Sequence, residues 1–188
     1  MNITSLIFYI SGSAWLASEI RLNLRDRGII DTAIDQRSGV GLLVLITGAI
    51  TACIFILYAG LCKIPLSPSI LFVMGTVFIC AGAALRVLAV RCLGKYFRTC
   101  VSVEDGQALV RRGPYRFIRH PAYAGAMLVF LGTGVGFGSW LSLGVMLFLP
   151  FVGYLRRIKL EECAMINRFP EEYPRFINAT RKLIPYIY

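Results

Sequence analysis

Charge is scarce in this 188-residue chain: only 16% of the residues are Asp, Glu, Lys or Arg, where soluble domains carry about a quarter. Four stretches hold no charge at all: 1–18, 38–62, 64–85 and 121–155, the last being 35 residues long. With 57% hydrophobic residues and a mean hydropathy of +0.69, a soluble globular domain is excluded. A spanning helix needs roughly 20 apolar residues, and each charge-free run approaches or exceeds that. Short alternating strands, the mark of a membrane barrel, are missing too. The chain therefore reads as an all-α integral membrane protein.

Other shortages narrow the chemistry. There is one histidine, His120, and the six cysteines include no C-x-x-C pair. Structural zinc wants four N/S ligands in paired spacing, so no metal is expected. Cys53, Cys62 and Cys80 read as small apolar helix residues. The formal charge of +10 would suit nucleic acid on an exposed basic module, but none is visible, and no nucleic-acid partner is expected. Attraction to anionic membrane lipids accounts for the charge more simply. The N-terminus has no basic region ahead of its apolar run and is expected to be a retained first helix rather than a signal peptide.

The 35-residue run is too long for one helix. GTGVGFGSW (132–140) lies inside it, with four glycines in seven residues, a composition suited to a tight turn. The run thus divides into a helical hairpin, and the chain is one multi-pass domain (1–188) with five spans at about 3–20, 39–60, 68–91, 121–136 and 139–157. Lysine and arginine orient it: 18 of the 20 lie in segments 21–38, 91–120 and 156–188. Five spans put all three segments on one side, which the positive-inside bias makes cytoplasmic, leaving the N-terminus external and the C-terminus cytoplasmic. Of the remaining two, Arg86 lies inside the third span, where snorkelling to the interface is the expected solution and pairing within the bundle the other.

The polar chemistry concentrates in 86–121, in the end of the last helix and in the tail. TCVSV (99–103) has strand-like composition and EDGQ (104–107) reads as a turn. Pro121 opens the fourth helix at a position where its missing N–H costs little. His120 then stands at a helix N-terminus, where free N–H groups favour an anion. Arg157 and Glu161 are i,i+4 neighbours. Because a hairpin starts and finishes on one side, Arg119, His120, Tyr123, Arg157, Glu161 and Glu162 can converge. Together they offer an anion-binding end and a cation-binding end, suited to a zwitterionic, amino-acid-like ligand.

GPYRFIRHPAYAG (113–125), the glycine-rich turn, RIKLEE (157–162) and RFPEEYPRFINATRKLIP (168–185) together resemble the isoprenylcysteine carboxyl methyltransferase family, within the wider membrane phospholipid methyltransferases. The stretch ending LGKYF (86–97) and GQALVRRG (106–113) also fit, so the resemblance covers about 86–188. Pro170 replaces the usual glycine after Phe169, Phe176 stands where a second tyrosine is usual, and two glutamates stand where relatives often have three or more. The resemblance implies methyl transfer from S-adenosylmethionine at the cytoplasmic membrane face, to the carboxylate of a lipid-like or prenylated substrate arriving from the bilayer. It implies a cofactor-binding loop and tail, with His120, Tyr123, Glu161 and Glu162 at the polar end of the cofactor. Gln107, Leu109, Val110 and Tyr115 would line the loop side, and Arg119 and Arg157 would hold the substrate carboxylate. A phospholipid or other small lipophilic acceptor is the alternative; a sterol-reductase-like NADPH enzyme and a non-enzymatic scaffold stand further off. The host membrane is expected to be a prokaryotic plasma membrane rather than the endoplasmic reticulum.

Overall fold

The computed structural model describes residues 2–26, 33–97 and 109–184. The expected strand-like stretch at 99–103, the turn at 104–107 and Gln107 lie outside the described residues. Among the described residues six α-helices follow in order: α1 (Ile3–Asp26), α2 (Ala33–Ala59), α3 (Pro68–Leu93), α4 (Pro121–Gly136), α5 (Trp140–Arg168) and α6 (Glu172–Ala179). Single 3-10 turns occupy Gly94–Tyr96 and Gly113–Arg116. Ser67 caps α3 ahead of Pro68, and Ser139 caps α5, each hydroxyl accepting a backbone N–H of the first turn.

Four of these helices (α1, α2, α3 and α5) are long and apolar enough to cross a membrane, and α4 is a shorter apolar helix of 16 residues. The protein is a multi-pass membrane protein with apolar side chains facing outward, among them Phe55, Val44 and Val77, all at least 60% exposed. Three helices clearly outrun the expected spans: α1 continues to Asp26, α2 opens at Ala33, and α5 continues to Arg168 without a break at residue 157. At 1.5 Å per residue α5 is about 44 Å long, against a hydrocarbon core of about 30 Å. Its last turns therefore carry polar side chains beyond the apolar layer. Cys62, expected in a helix, sits instead in the turn after α2, with a φ of 51°.

The centre of the bundle is the α3–α4 pair, held close by glycine. A Cβ built on Gly82 would lie 2.4 Å from the Gly125 carbonyl oxygen, and one on Gly132 would lie 2.5 Å from that of Gly75. Gly75 thus faces Gly132 and Gly82 faces Gly125, so the helices run antiparallel with their backbones in contact, as small residues permit in membrane bundles. α1 packs chiefly on α3 and also reaches α4, where Phe8 fills the space over Gly75 and Gly136. α2 packs on α5, and α4 packs on α5 across a turn of three residues, 137–139. Phe130, Met146, Tyr154, Ala126 and Cys53 form the main buried cluster. α1 and α2 rest on different partners and leave a space between them.

Candidate active site

The polar side chains meet where α4 begins. After the 3-10 turn at Gly113–Arg116, backbone pairing with the tail fixes the chain: Arg119 N–H donates to the Arg181 carbonyl at 2.7 Å and His120 N–H to that of Lys182 at 3.0 Å. His120 enters α4 from there with no side-chain capping bond. Its buried imidazole instead sits between two carboxylates on α5, with Nδ1 3.5 Å from Glu161 and Nε2 3.3 Å from Glu162. Burial disfavours the imidazolium, but hydrogen bonds and charge from Glu161 and Glu162 outweigh it, and the His120 pKa is raised above its ordinary value. With an acceptor facing each ring nitrogen, the doubly protonated ring fits both.

One turn into α4, Tyr123 stacks on His120 and donates its hydroxyl to Glu161. The same hydroxyl accepts from Arg157 Nε at 3.0 Å, and Arg157 also lies 3.6 Å from Glu161. Glu162 takes a different set of partners: Arg119 Nε at 2.9 Å and Lys182 at 3.6 Å. Arg119 continues into the tail, its Nη1 donating to the carbonyls of Ile177 at 3.1 Å and Thr180 at 2.6 Å. Arg119 and Glu162 thereby tie α4, α5 and the segment after α6 together.

A second ion pair lies across α3. Arg86 does not snorkel. Its Nε and Nη2 clasp both carboxylate oxygens of Glu19 on α1, the second at 2.6 Å, while Nη1 donates to the Ala122 carbonyl at 3.1 Å. Between this pair and Arg157 stands Tyr154, 6% exposed, its ring 4.8 Å from that of Tyr123. Among the described residues its hydroxyl has no hydrogen-bond partner.

These groups border one cavity of about 990 Å³. One part is polar and aromatic, bounded by Arg119, His120, Tyr123, Arg157 and Glu161, by Leu109, Val110 and Tyr115, and by Tyr173 and Phe176 of α6. Burial pushes the phenols of Tyr115 and Tyr173 well above the ordinary tyrosine value, so both stay neutral. The other part is apolar and runs between α1 and α2, past Gly12, Leu16, Leu43, Ile46 and Ile50. Of the residues singled out in the sequence, Glu162 stands behind the wall rather than on it, and Gln107 is outside the described residues. The sequence reading missed Glu19, Tyr154, Tyr173 and Phe176. The available signal was Glu19, the one charged residue among the first twenty, placed in an otherwise apolar helix.

The sequence pattern of the isoprenylcysteine carboxyl methyltransferase (ICMT) family matches residues 73–167, from the second turn of α3 to the end of α5. The chain belongs to this family. Arg86, His120, Tyr123, Tyr154, Arg157, Glu161 and Glu162 all fall within the matched ICMT segment; Glu19 and the whole of α1 and α2 fall outside it. Among curated relatives, a probable protein-S-isoprenylcysteine O-methyltransferase of Oryza sativa subsp. indica is 29% identical over 116 residues, 61% of this chain and 61% of the rice protein. The protein-S-isoprenylcysteine O-methyltransferase of Saccharomyces cerevisiae is 31% identical over 117 residues, 61% of this chain and 49% of the yeast protein. The chain thus spans about half to three fifths of the length of these relatives. A solved structure of the eukaryotic intramembrane Ras methyltransferase ICMT superposes with a TM-score of 0.61 at 19% identity, covering 87% of this chain and 56% of that one. That likeness is one of fold.

Proposed function

We propose that this protein is an S-adenosylmethionine-dependent methyltransferase that esterifies a carboxylate on a lipid-modified, isoprenylcysteine-like substrate at the cytoplasmic membrane face. The observation that carries the reading is the shape of the cavity: one space joins a zwitterion-binding polar end to an apolar channel between α1 and α2. Family membership supports the same activity. With α4 as a fifth crossing, every basic segment lies on the side of the polar end, which supports a cytoplasmic site and an external N-terminus.

The residues present fit S-adenosylmethionine. The cavity reaches the upper end of ordinary ligand-site volumes, about 300–1,000 Å³, which leaves room for an acceptor as well. Its polar end carries both signs: Glu161 suits an ammonium, and the cationic His120 and Arg157 lie beside it. Tyr115, Tyr173, Phe176, Leu109 and Val110 would enclose a nucleoside in neutral, largely apolar surface. When bound, the cofactor supplies a methyl sulfonium, whose carbon a carboxylate oxygen attacks while the S–CH₃ pair leaves with sulfur.

The protein's tasks are then positioning and exclusion of water. A carboxylate nucleophile is already charged, so no general base is required. Arg157 is the first candidate to hold it, its guanidinium oriented by Tyr123 and Glu161. Arg119 was expected to share that task, but its donors face Glu162 and the tail, so we give the second place to Arg86, which borders the cavity beside Ala122. In this reading Arg119 and Glu162 hold the tail over the cofactor, and Tyr154 offers the carboxylate a neutral donor.

Calorimetric titration of detergent-purified protein with S-adenosylhomocysteine, beside His120→Ala, tests the reading. Micromolar binding that the variant loses is expected. Absence of binding to folded wild type overturns it and makes NADPH the next ligand to titrate.

A further inference from the structure

α1 lies outside the segment matched to the family, yet it supplies one wall of the cavity and one carboxylate, Glu19. That carboxylate is not spent on solvent. Its two oxygens lie on the Nε–Nη2 edge of Arg86, and the two side chains are only 15% and 9% exposed. Both residues border the cavity. The remaining Arg86 nitrogen is engaged by the Ala122 carbonyl, one residue from Tyr123. Three of the five guanidinium N–H groups are therefore engaged, and the Nε–Nη2 edge, well suited to a planar carboxylate, is occupied by a carboxylate of the protein itself.

Within an apolar bundle an arginine cannot stand unpaired, because a lone buried cation costs several kcal/mol or more. Nor can one Nε–Nη2 edge accept two carboxylates, since both are anionic and the fork offers two parallel N–H groups. An acceptor carboxylate can reach that edge only if Glu19 gives way. The surroundings allow it: α1 packs chiefly on α3, with Phe8 and Trp15 also reaching α4, and near Glu19 the cavity separates it from α2.

We propose that Glu19 is a resident competitor for the acceptor's carboxylate, yielding Arg86 to the free acid and reclaiming it once the group is esterified. The inference rests on the methyltransferase reading above. The exchange keeps Arg86 paired at each stage. The acid brings a negative charge that replaces Glu19; methylation removes that charge, and the uncharged ester cannot hold the guanidinium against Glu19. Glu19 thus acts through Arg86, as a specificity and product-release residue rather than a catalytic one, and binding of the ester involves no displacement.

The test compares wild type with Glu19→Gln, which keeps the shape but removes the competing charge. Affinities for an S-prenylated cysteine derivative and for its methyl ester are measured by titration in detergent. The free acid should bind about tenfold more tightly to E19Q, the scale of one charge-assisted hydrogen bond, while the ester changes less than about twofold. A merely structural role for the pair would move both ligands together or weaken both. Weaker binding of the acid to E19Q, or an equal gain for acid and ester, overturns the proposal. If E19Q fails to fold, Glu19→Asp retains the charge on a shorter arm; a smaller gain confined to the acid supports the proposal, and no gain overturns it. S-adenosylhomocysteine titrated into the same samples separates the two ideas: its binding to wild type tests the methyltransferase reading, whereas only the acid-to-ester ratio tests Glu19.

Discussion

His120→Gln should remove a stabilisation that depends on pH, and its size follows from the geometry. The imidazole faces Glu162 at 3.3 Å and Glu161 at 3.5 Å, longer than the best charge-assisted contacts of about 2.7–2.9 Å. Each contact is therefore placed at the low end of the range, about 1.5 kcal/mol, for a total of about 2–3 kcal/mol. The loss is not compounded by stranded carboxylates, because Glu161 keeps Tyr123 and Arg157, and Glu162 keeps Arg119 and Lys182. At about 2–4 °C per kcal/mol for a chain of this size, the variant should unfold about 4–12 °C below wild type at pH 6. The sign of the pH effect is fixed by the raised pKa. The fold favours the protonated ring, so the stabilisation is complete below the unfolded value of about 6.5 and is lost as pH rises through the higher folded value. Thermal unfolding in detergent from pH 5.5 to 9.5 measures the gap between the two proteins, which should narrow towards the alkaline end. A gap that stays constant or widens with pH refutes a charged His120 between the two glutamates.

Two further outcomes are expected. Tyr154→Phe removes a hydroxyl that has no partner among the described residues, on a residue bordering the cavity, so the melting temperature should hold, while the acceptor KM increases several-fold at unchanged S-adenosylhomocysteine affinity; a lower melting temperature with unchanged KM contradicts the role given to that hydroxyl. Gly82→Ala forces a methyl to within 2.4 Å of the Gly125 oxygen and should cost about 1–3 kcal/mol by denaturation, whereas Gly48→Ala, with nothing within 4 Å, should be neutral or slightly stabilising; equal effects at both positions refute the close α3–α4 contact.

How far the site was legible in the sequence depends on what each residue's position rests on. The meeting of His120, Tyr123, Arg157 and Glu161 was readable because two short apolar segments joined by glycines must return to the same side. The division of labour within that group was not. Glu161 and Glu162 are adjacent on α5, and a helical step of about 100° sends neighbours to different faces. Glu161 consequently borders the cavity with Arg157, while Glu162 lies off the lining, bonded to Arg119 and Lys182. Arg86 looked like a snorkelling residue because its partner lies 67 positions away on α1, beyond any local spacing rule.

The sequence alone determined that this chain crosses a membrane several times and where its apolar helices lie. The cost of placing a charge or a bare peptide group in hydrocarbon belongs to each residue, whatever its neighbours in space. It determined the family as well, through the order of a few polar residues around the α4–α5 turn. Only the tertiary structure decided which glycines let α3 and α4 touch, that Glu19 closes on Arg86, and that α1 and α2 leave a channel leading to the polar cluster. Those features come from pairs of surfaces distant in sequence, and complementarity between two surfaces is a property of neither taken alone.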